Sequence, residues 1–321
     1  MTNLNIFAGF DISKDFFDIS ILSTGKIIRA AQISNDEAGF LQLKAILPLN
    51  AHCIMEATGP YYLRLASWLY TEGFTVSVVN PLVIHRFAQM LLRRVKTDKA
   101  DAAIIAEYGY THPPKAWSPP AQYMVKLQQL DALKERMIMQ LTVLSNQLEA
   151  FSATGMMDKE VKKFVQKMIT HQQKMLQQLE DKTHDIIKQY HQQMLINLTS
   201  IPGIANKTAT VLISVTGGFT RFQNAKQLCA YVGMSPRIYE SGSSIKGKAR
   251  ICKLGMSRVR ALLYVCAWSA KRHNKACAEL YERLVAKGKA KKLALVAVAN
   301  KLLRQAFAIA TTNKPYLIQP L

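Results

Sequence analysis

The sequence predicts a mixed α/β unit, then a long helical coiled-coil hairpin, then a basic and mostly α-helical C-terminal region. Three observations carry this. The first 80 residues alternate short apolar runs with stretches of helical spacing. Residues 121–195 contain one Gly and no Pro, and repeat apolar residues every three or four positions. The last third holds nearly all the excess positive charge. At 321 residues and 49% hydrophobic, the chain is long and apolar enough for folded domains and excludes a disordered polymer.

Ile6–Ile12, Phe16–Leu22 and Lys26–Ile33 are short apolar-rich runs parted by Ser13-Lys14 and Thr24-Gly25, which predicts a three-stranded meander. Asn35–Leu47 has helical spacing in Phe40, Leu41, Leu43 and Ile46. Cys53–Met55 reads as a short buried strand and Tyr61–Tyr70 as a helix closing near Gly73. Phe74–Val79 is a strand ended by Asn80-Pro81, with further helices to about Tyr110. The order βββαβαβα implies a mixed sheet with helices on its faces. Pro113-Pro114 and Pro119-Pro120 are expected to end this unit as a stiff linker.

The helical stripe Leu130, Leu133, Met137, Leu141, Leu144, Leu148, Phe151 breaks at Ser152–Gly155 and resumes as Phe164, Met168, Met175, Leu179, Ile186, Tyr190. Two long amphipathic helices follow, as an antiparallel hairpin or an oligomerising coiled coil. Ile201-Pro202-Gly203-Ile204 then interrupts two helical patterns, and further helices are expected near Ala225–Val232, Ser257–Lys271, Ala276–Ala286 and Ala290–Ala310. The expected domains are therefore 1–120, 121–195 and 196–321.

The formal charge is +21, yet residues 1–120 carry only +1 and 121–200 only +2, while 201–321 carries +18. So one-sided a depletion of acids suits a polyanion, and nucleic acid is the usual one. Five Cys without a C-x-x-C pair indicate neither a disulfide framework nor a zinc site. MTNLNIFAGFDIS lacks the pattern of a signal peptide, and Leu293–Ala310 is interrupted by Asn300, Lys301, Arg304 and Gln305, so a cytoplasmic protein is expected.

Four acids stand out in the first unit. Asp11 lies in the first strand, Glu56 ends a buried strand, and Asp98 and Asp101 share one face of a predicted helix. Carboxylates at strand ends and on one helix face suit Mg²⁺ ions, which take hard oxygen ligands and, as a pair, clamp both reacting oxygens of a phosphodiester. The structural alternatives are a turn or edge Asp11, a Glu56 complementing a helix N-terminus, and Asp98 and Asp101 as a helix cap and its partner. Leu198–Ala205 looks like a helix-hairpin-helix whose turn, at Gly203, aims backbone N–H groups at phosphate, or else an ordinary αα turn. Tyr239–Arg250 contains Gly242-x₄-Gly247-Lys248, but Ala249 stands where a P-loop needs Ser/Thr, and no buried strand precedes it. This leaves a phosphate-binding loop or one presenting a nucleophilic Ser among cations. Lys246, Lys248, Arg250, Lys253, Arg258 and Arg260 are the candidate phosphate contacts.

Phe10-Asp11-Ile12-Ser13-Lys14, Met55-Glu56-Ala57-Thr58-Gly59, Lys96-Thr97-Asp98-x-x-Asp101-Ala102, Ile201-Pro202-Gly203-Ile204 and Tyr239-Glu240-Ser241-Gly242-Ser243-Ser244 occur in that order. Together they resemble the Piv/MooV-type DEDD insertion-sequence transposases and pilin-gene invertases, the IS-one-ten family, over essentially the whole chain. Ala205 replaces the second Gly usual in the hairpin. The resemblance implies a RuvC-like, ribonuclease-H-type first domain with Asp11, Glu56, Asp98 and Asp101 as ligands for two Mg²⁺ ions. It also implies Ser241 as a nucleophile that holds DNA as a phosphoserine. It further implies a homo-oligomer, dimer to tetramer, with DNA and a structured bridge RNA as partners. Invertase-type members recombine sites on one chromosome. The alternatives are a hydrolytic junction nuclease, in which water attacks, and a non-catalytic nucleic-acid-binding protein.

Overall fold

The computed structural model describes residues 6–92, 97–237, 240–241, 245–246 and 250–317, with the backbone alone at 237, 240, 241, 245, 246 and 250. The chain divides into two compact units, Met1–Pro120 and Ala121–Leu321.

The first unit begins with the expected meander, β1 (Ile6–Ile12), β2 (Phe16–Ser23) and β3 (Lys26–Ser34). It continues through α1 (Glu37–Ile46), β4 (Ala51–Glu56), α2 (Tyr62–Thr71), β5 (Thr75–Val79), α3 (Pro81–Met90) and α4 (Asp98–Thr111). The five strands form one sheet in the order β3-β2-β1-β4-β5. The three meander strands pair antiparallel, and β4 and β5 add in parallel beside β1. Because β1 is central, both its faces are covered, which is why it reads as a nearly unbroken apolar run. Ala8, Phe10 and Ile12 face a core with Phe40 and Leu43 of α1 and Leu65 and Leu69 of α2. The alternate residue Phe7 faces a smaller core with Ile54 of β4, Ile84 and Phe87 of α3, and Ile104 and Ile105 of α4. The proline-rich segment after α4 lies along β5 rather than projecting as a linker. Trp117 donates its N–H to the Val76 carbonyl at 2.7 Å, and the Ser77 hydroxyl lies 2.9 Å from the Lys115 carbonyl as its donor.

The second unit opens with the two long helices, α5 (Gln122–Ala153) and α6 (Lys159–Thr199). Asp158 caps α6, its carboxylate accepting from the N–H groups of Glu160 and Val161. Then follow α7 (Asn206–Thr216), α8 (Ala225–Val232), two small ribbons, α9 (Ser257–His273), α10 (Lys275–Ala286) and α11 (Lys291–Thr312). The ribbons pair β6 (Pro236–Arg237) with β9 (Arg250–Ile251), and β7 (Glu240–Ser241) with β8 (Ile245–Lys246). The proximal ends of α5 and α6 share one core with α7, α8, α9 and α11, through Leu127, Ile187, Leu198, Leu212, Leu228, Leu263 and Leu302. By length and composition α11 is apolar enough to cross a membrane, although Asn300, Lys301, Arg304 and Gln305 interrupt it. Here Ala294, Leu295, Val298, Ala299, Leu302, Leu303 and Ala306 are buried against neighbouring helices, as in the core helix of a globular unit.

Candidate functional site

The acids of the first unit are brought together by strand register and one glycine. Phe10 pairs with Met55 in the parallel β1–β4 ladder, so Asp11 and Glu56 follow at the carboxyl ends of adjacent strands. Strand alternation puts Asp11 on the face of Gly9 and Phe7, and Glu56 on the face of Ile54, the side covered by α4. A Cβ on Gly9 would lie 2.3 Å from both the Ala102 carbonyl oxygen and the Ala106 nitrogen. Only glycine therefore lets α4 approach β1 this closely, and that approach carries the first turn of α4 to the strand ends. Thr97 caps this helix, its hydroxyl accepting from the Ala100 N–H at 3.2 Å. The cap is thus not Asp98, which removes the reading of Asp98 and Asp101 as a cap and its partner.

The electrostatics register the convergence. The Asp11 carboxyl is raised from 3.8 to about 6, first by burial, then by the negative charges of Asp101, Asp98, Glu56 and Asp18. Four acids therefore act on a fifth. Asp18 was not foreseen from the sequence. It stands directly opposite Asp11 in the β1–β2 register, is buried, and accepts a hydrogen bond from Gln32 Nε2 at 3.0 Å. Its signal was an acid inside the apolar run Phe16–Leu22. Gly9, two residues before Asp11, was likewise legible as a close backbone approach. The Thr58 hydroxyl donates to Glu56 Oε1 at 2.6 Å and orients that carboxylate. Among the described residues, no three His, Cys, Asp or Glu side chains converge closely enough to hold one metal ion. The donor set is nevertheless all oxygen and mutually repulsive, which is the chemistry a hard divalent cation relieves.

In the second unit, the described residues of the serine segment pair in two short ribbons. Ser241 pairs with Ile245, Glu240 with Lys246, and Arg237 with Arg250. Lys248 lies outside the described residues. Lys253 is exposed, in the left-handed region at φ 59°. Arg258 and Arg260, expected on phosphates, are committed internally. Arg258 Nη1 lies 3.0 Å from Asp131 Oδ1, and Arg260 Nη1 donates to the Val232 carbonyl at 2.8 Å. Asp131 also partners Lys134 at 3.5 Å, a lysine only 3% exposed whose ammonium is pushed down by burial. Gly203 has φ 104°, and a Cβ there would come within 2.8 Å of the Ala270 Cβ. Its glycine requirement is thus met by packing of the α6–α7 turn on α9. The Asn274 side chain, beyond the end of α9, lies 3.4 Å from the Pro202 carbonyl as its donor.

Both units are similar to known proteins. A DEDD-type IS110 family model described as "Transposase" matches residues 8–153, and one described as "Transposase IS116/IS110/IS902 family" matches residues 196–282. Pilin gene-inverting proteins of Moraxella lacunata and Moraxella bovis are each 32% identical, over 97% of this chain and 97% of theirs. The transposase for insertion sequence element IS1111A of Coxiella burnetii is 23% identical over 96% of this chain and 90% of its own length.

Proposed function

The chain belongs to the IS110 family of transposases and DNA invertases, and from that premise we propose that it cleaves and rejoins DNA using an acidic cluster in its first unit and Ser241 in its second. The observation that carries this reading is that burial, and then the charges of the other three motif acids, Asp101, Asp98 and Glu56, with Asp18, raise the Asp11 carboxyl to about 6. Perturbation of a carboxyl by like charges is a mark of a chemical site rather than of fold stabilisation. The sheet order β3-β2-β1-β4-β5, three antiparallel strands extended by two parallel ones, supports a RuvC-like assignment for this unit.

Asp11, Glu56, Asp98 and Asp101 would hold the divalent cations, with Mg²⁺ the natural fit to oxygen donors. When bound, such cations stabilise charge on the attacking and departing oxygens of a phosphodiester. Within the chain, Thr58 fixes Glu56, and Gly9 lets α4 hold Asp98 and Asp101 at the strand ends. Ser241 Oγ would bond to phosphorus as the bond to a sugar oxygen breaks, retaining the DNA as a phosphoserine ester until a strand hydroxyl displaces the serine. Gly203, Lys246, Lys248, Arg250 and Lys253 remain the proposed phosphate contacts, with Arg258 and Arg260 held by Asp131 and the Val232 carbonyl. A bridge RNA is the proposed guide, and the cytoplasm the proposed location. Self-association is proposed through the hairpin, where Leu133, Met139, Val143, Phe164 and Met168 are exposed.

The test is cleavage of plasmid DNA carrying the sequences that flank the gene. The expected result is a protein–DNA adduct that survives SDS, is lost in Ser241→Ala, and is lost in Asp11→Asn with DNA binding intact. An adduct that persists in Ser241→Ala overturns the serine step. Cleaved ends without any adduct point instead to a nuclease in which water attacks. Unimpaired cleavage by Asp11→Asn sinks the metal site, and purification without a discrete RNA sinks the guide.

A further inference from the structure

The helical hairpin is close to neutral as a whole, but its charge is not evenly spread. Lys159–Lys174, the first 16 residues of α6, carry five Lys against the single Glu160. The remaining 25 residues of the helix carry two Lys against three acids. The step is therefore confined to the half of α6 farthest along the chain from α7.

Helical geometry sorts this half into three faces. Val165, Ile169 and Gln172 turn toward α5: Val165 is buried, and Gln172 Nε2 lies 3.4 Å from Gln140 Oε1 of α5 as its donor. Val161, Phe164, Met168 and Met175 form an exposed apolar flank. Lys159, Lys163, Lys167 and Lys174 lie opposite the α5-facing side, with Gln166 and Thr170 among them, and all six are exposed. Lys163, Gln166, Lys167, Thr170, His171 and Lys174 together line one shallow surface depression. Among the described residues none of these four lysines forms an ion pair. At 1.5 Å per residue, the stripe runs about 22 Å along the helix.

We propose that this lysine stripe is a second nucleic-acid contact, engaging the phosphate backbone of duplex DNA. The inference rests on the reading of the protein as one that acts on DNA. The argument is charge complementarity with a defined direction. A row of unpaired ammonium groups on one helix face matches a linear polyanion, with polar Gln166 and Thr170 completing the face without any apolar residue that a protein partner would bury. The apolar flank is angularly separate, so a second copy covering it leaves the lysines open. Point charges on flexible stems position a backbone without reading bases, so the contact is independent of sequence.

The experiment uses the full-length protein and a 40-base-pair duplex of arbitrary sequence, with binding measured across a salt series. The triple variant Lys163→Gln, Lys167→Gln, Lys174→Gln should flatten the log–log salt slope by about 2.7, and the three Lys→Arg replacements should restore it. An unchanged slope overturns the proposal, as does a triple variant whose only change is in oligomeric state by light scattering. A slope that falls for a structured RNA of equal charge but not for the duplex also overturns it, assigning the stripe to RNA. If the unmodified protein does not bind the duplex at all, the DNA-acting reading fails with it. Binding that survives with an unchanged slope sinks the stripe alone.

Discussion

Asp11 and Lys134 are both ionisable groups largely withdrawn from water, and the two units treat them in opposite ways. In the first unit the Asp11 carboxyl is pushed up by burial and then by the negative charges of Asp101, Asp98, Glu56 and Asp18. In the second, Lys134 is even less exposed but has Asp131 beside it, and Asp131 in turn holds Arg258. Paired charges of opposite sign across α5 and α9 are a structural device, costly mainly when one member is removed. Like charges gathered at strand ends repel one another and cost the fold stability. Net charge alone would have reversed this assignment, since the excess charge belongs to the second unit and the uncompensated site to the first.

The comparison is tested most severely by Asp131→Asn. With its charge gone, Lys134 stays buried without its paired carboxylate, with only the more distant charge of Glu180 acting on it, and Arg258 loses its nearest carboxylate, so the second unit should lose about 3 kcal/mol. Urea denaturation measures this, and a loss below about 1 kcal/mol would show that the network is as dispensable as a surface pair.

Gly9→Ala should cost less, about 1–3 kcal/mol for overpacking, because its Cβ meets helix backbone at 2.3 Å and α4 must shift. The shift matters more than the stability. As the first turn of α4 moves away, the Asp11 carboxyl should fall back toward 3.8 as its neighbours recede, which a carboxyl-resolved NMR titration follows. A titration unchanged from the parent would show that α4 does not set the cluster.

The smallest effect is thermal. A carboxyl raised to about 6 is penalised in its charged form, so the folded unit loses stability as pH rises from 3.8 toward 6 and carries the full penalty above that. Mg²⁺ should therefore raise the melting temperature at pH 7.5, by roughly 3 °C, and by less at pH 5, where protons compete for Asp11. Equal shifts at both pH values, or an undiminished shift in Asp11→Asn, would separate metal binding from the cluster.

Much of the fold was legible because its signals are local. The turn residues Ser13-Lys14 and Thr24-Gly25 delimit the meander, and α8 begins and ends at the expected Ala225 and Val232. The break at Ser152–Gly155 falls between α5 and α6, whose Asp158 cap is itself a local device. The motif acids were legible one by one, as acids inside apolar frames. Their convergence was not, because it depends on β1–β4 register and on the closeness of α4. The proline-rich segment read as a linker because its hydrogen bonds go to β5, some 38 residues earlier.

By itself the sequence determined the order and type of the five sheet strands and of the long helices, the concentration of positive charge in the last third, and the motifs that ally the chain with its family. Those follow from periodicity and side-chain chemistry within a few residues. Tertiary structure alone decided which charges meet. Arg258 lies 127 residues from Asp131, Asp18 faces Asp11 through strand pairing, and Gly203 is a glycine because α9 lies against it. Coulomb interaction and steric exclusion act on distance in space, and only folding converts positions along the chain into that distance.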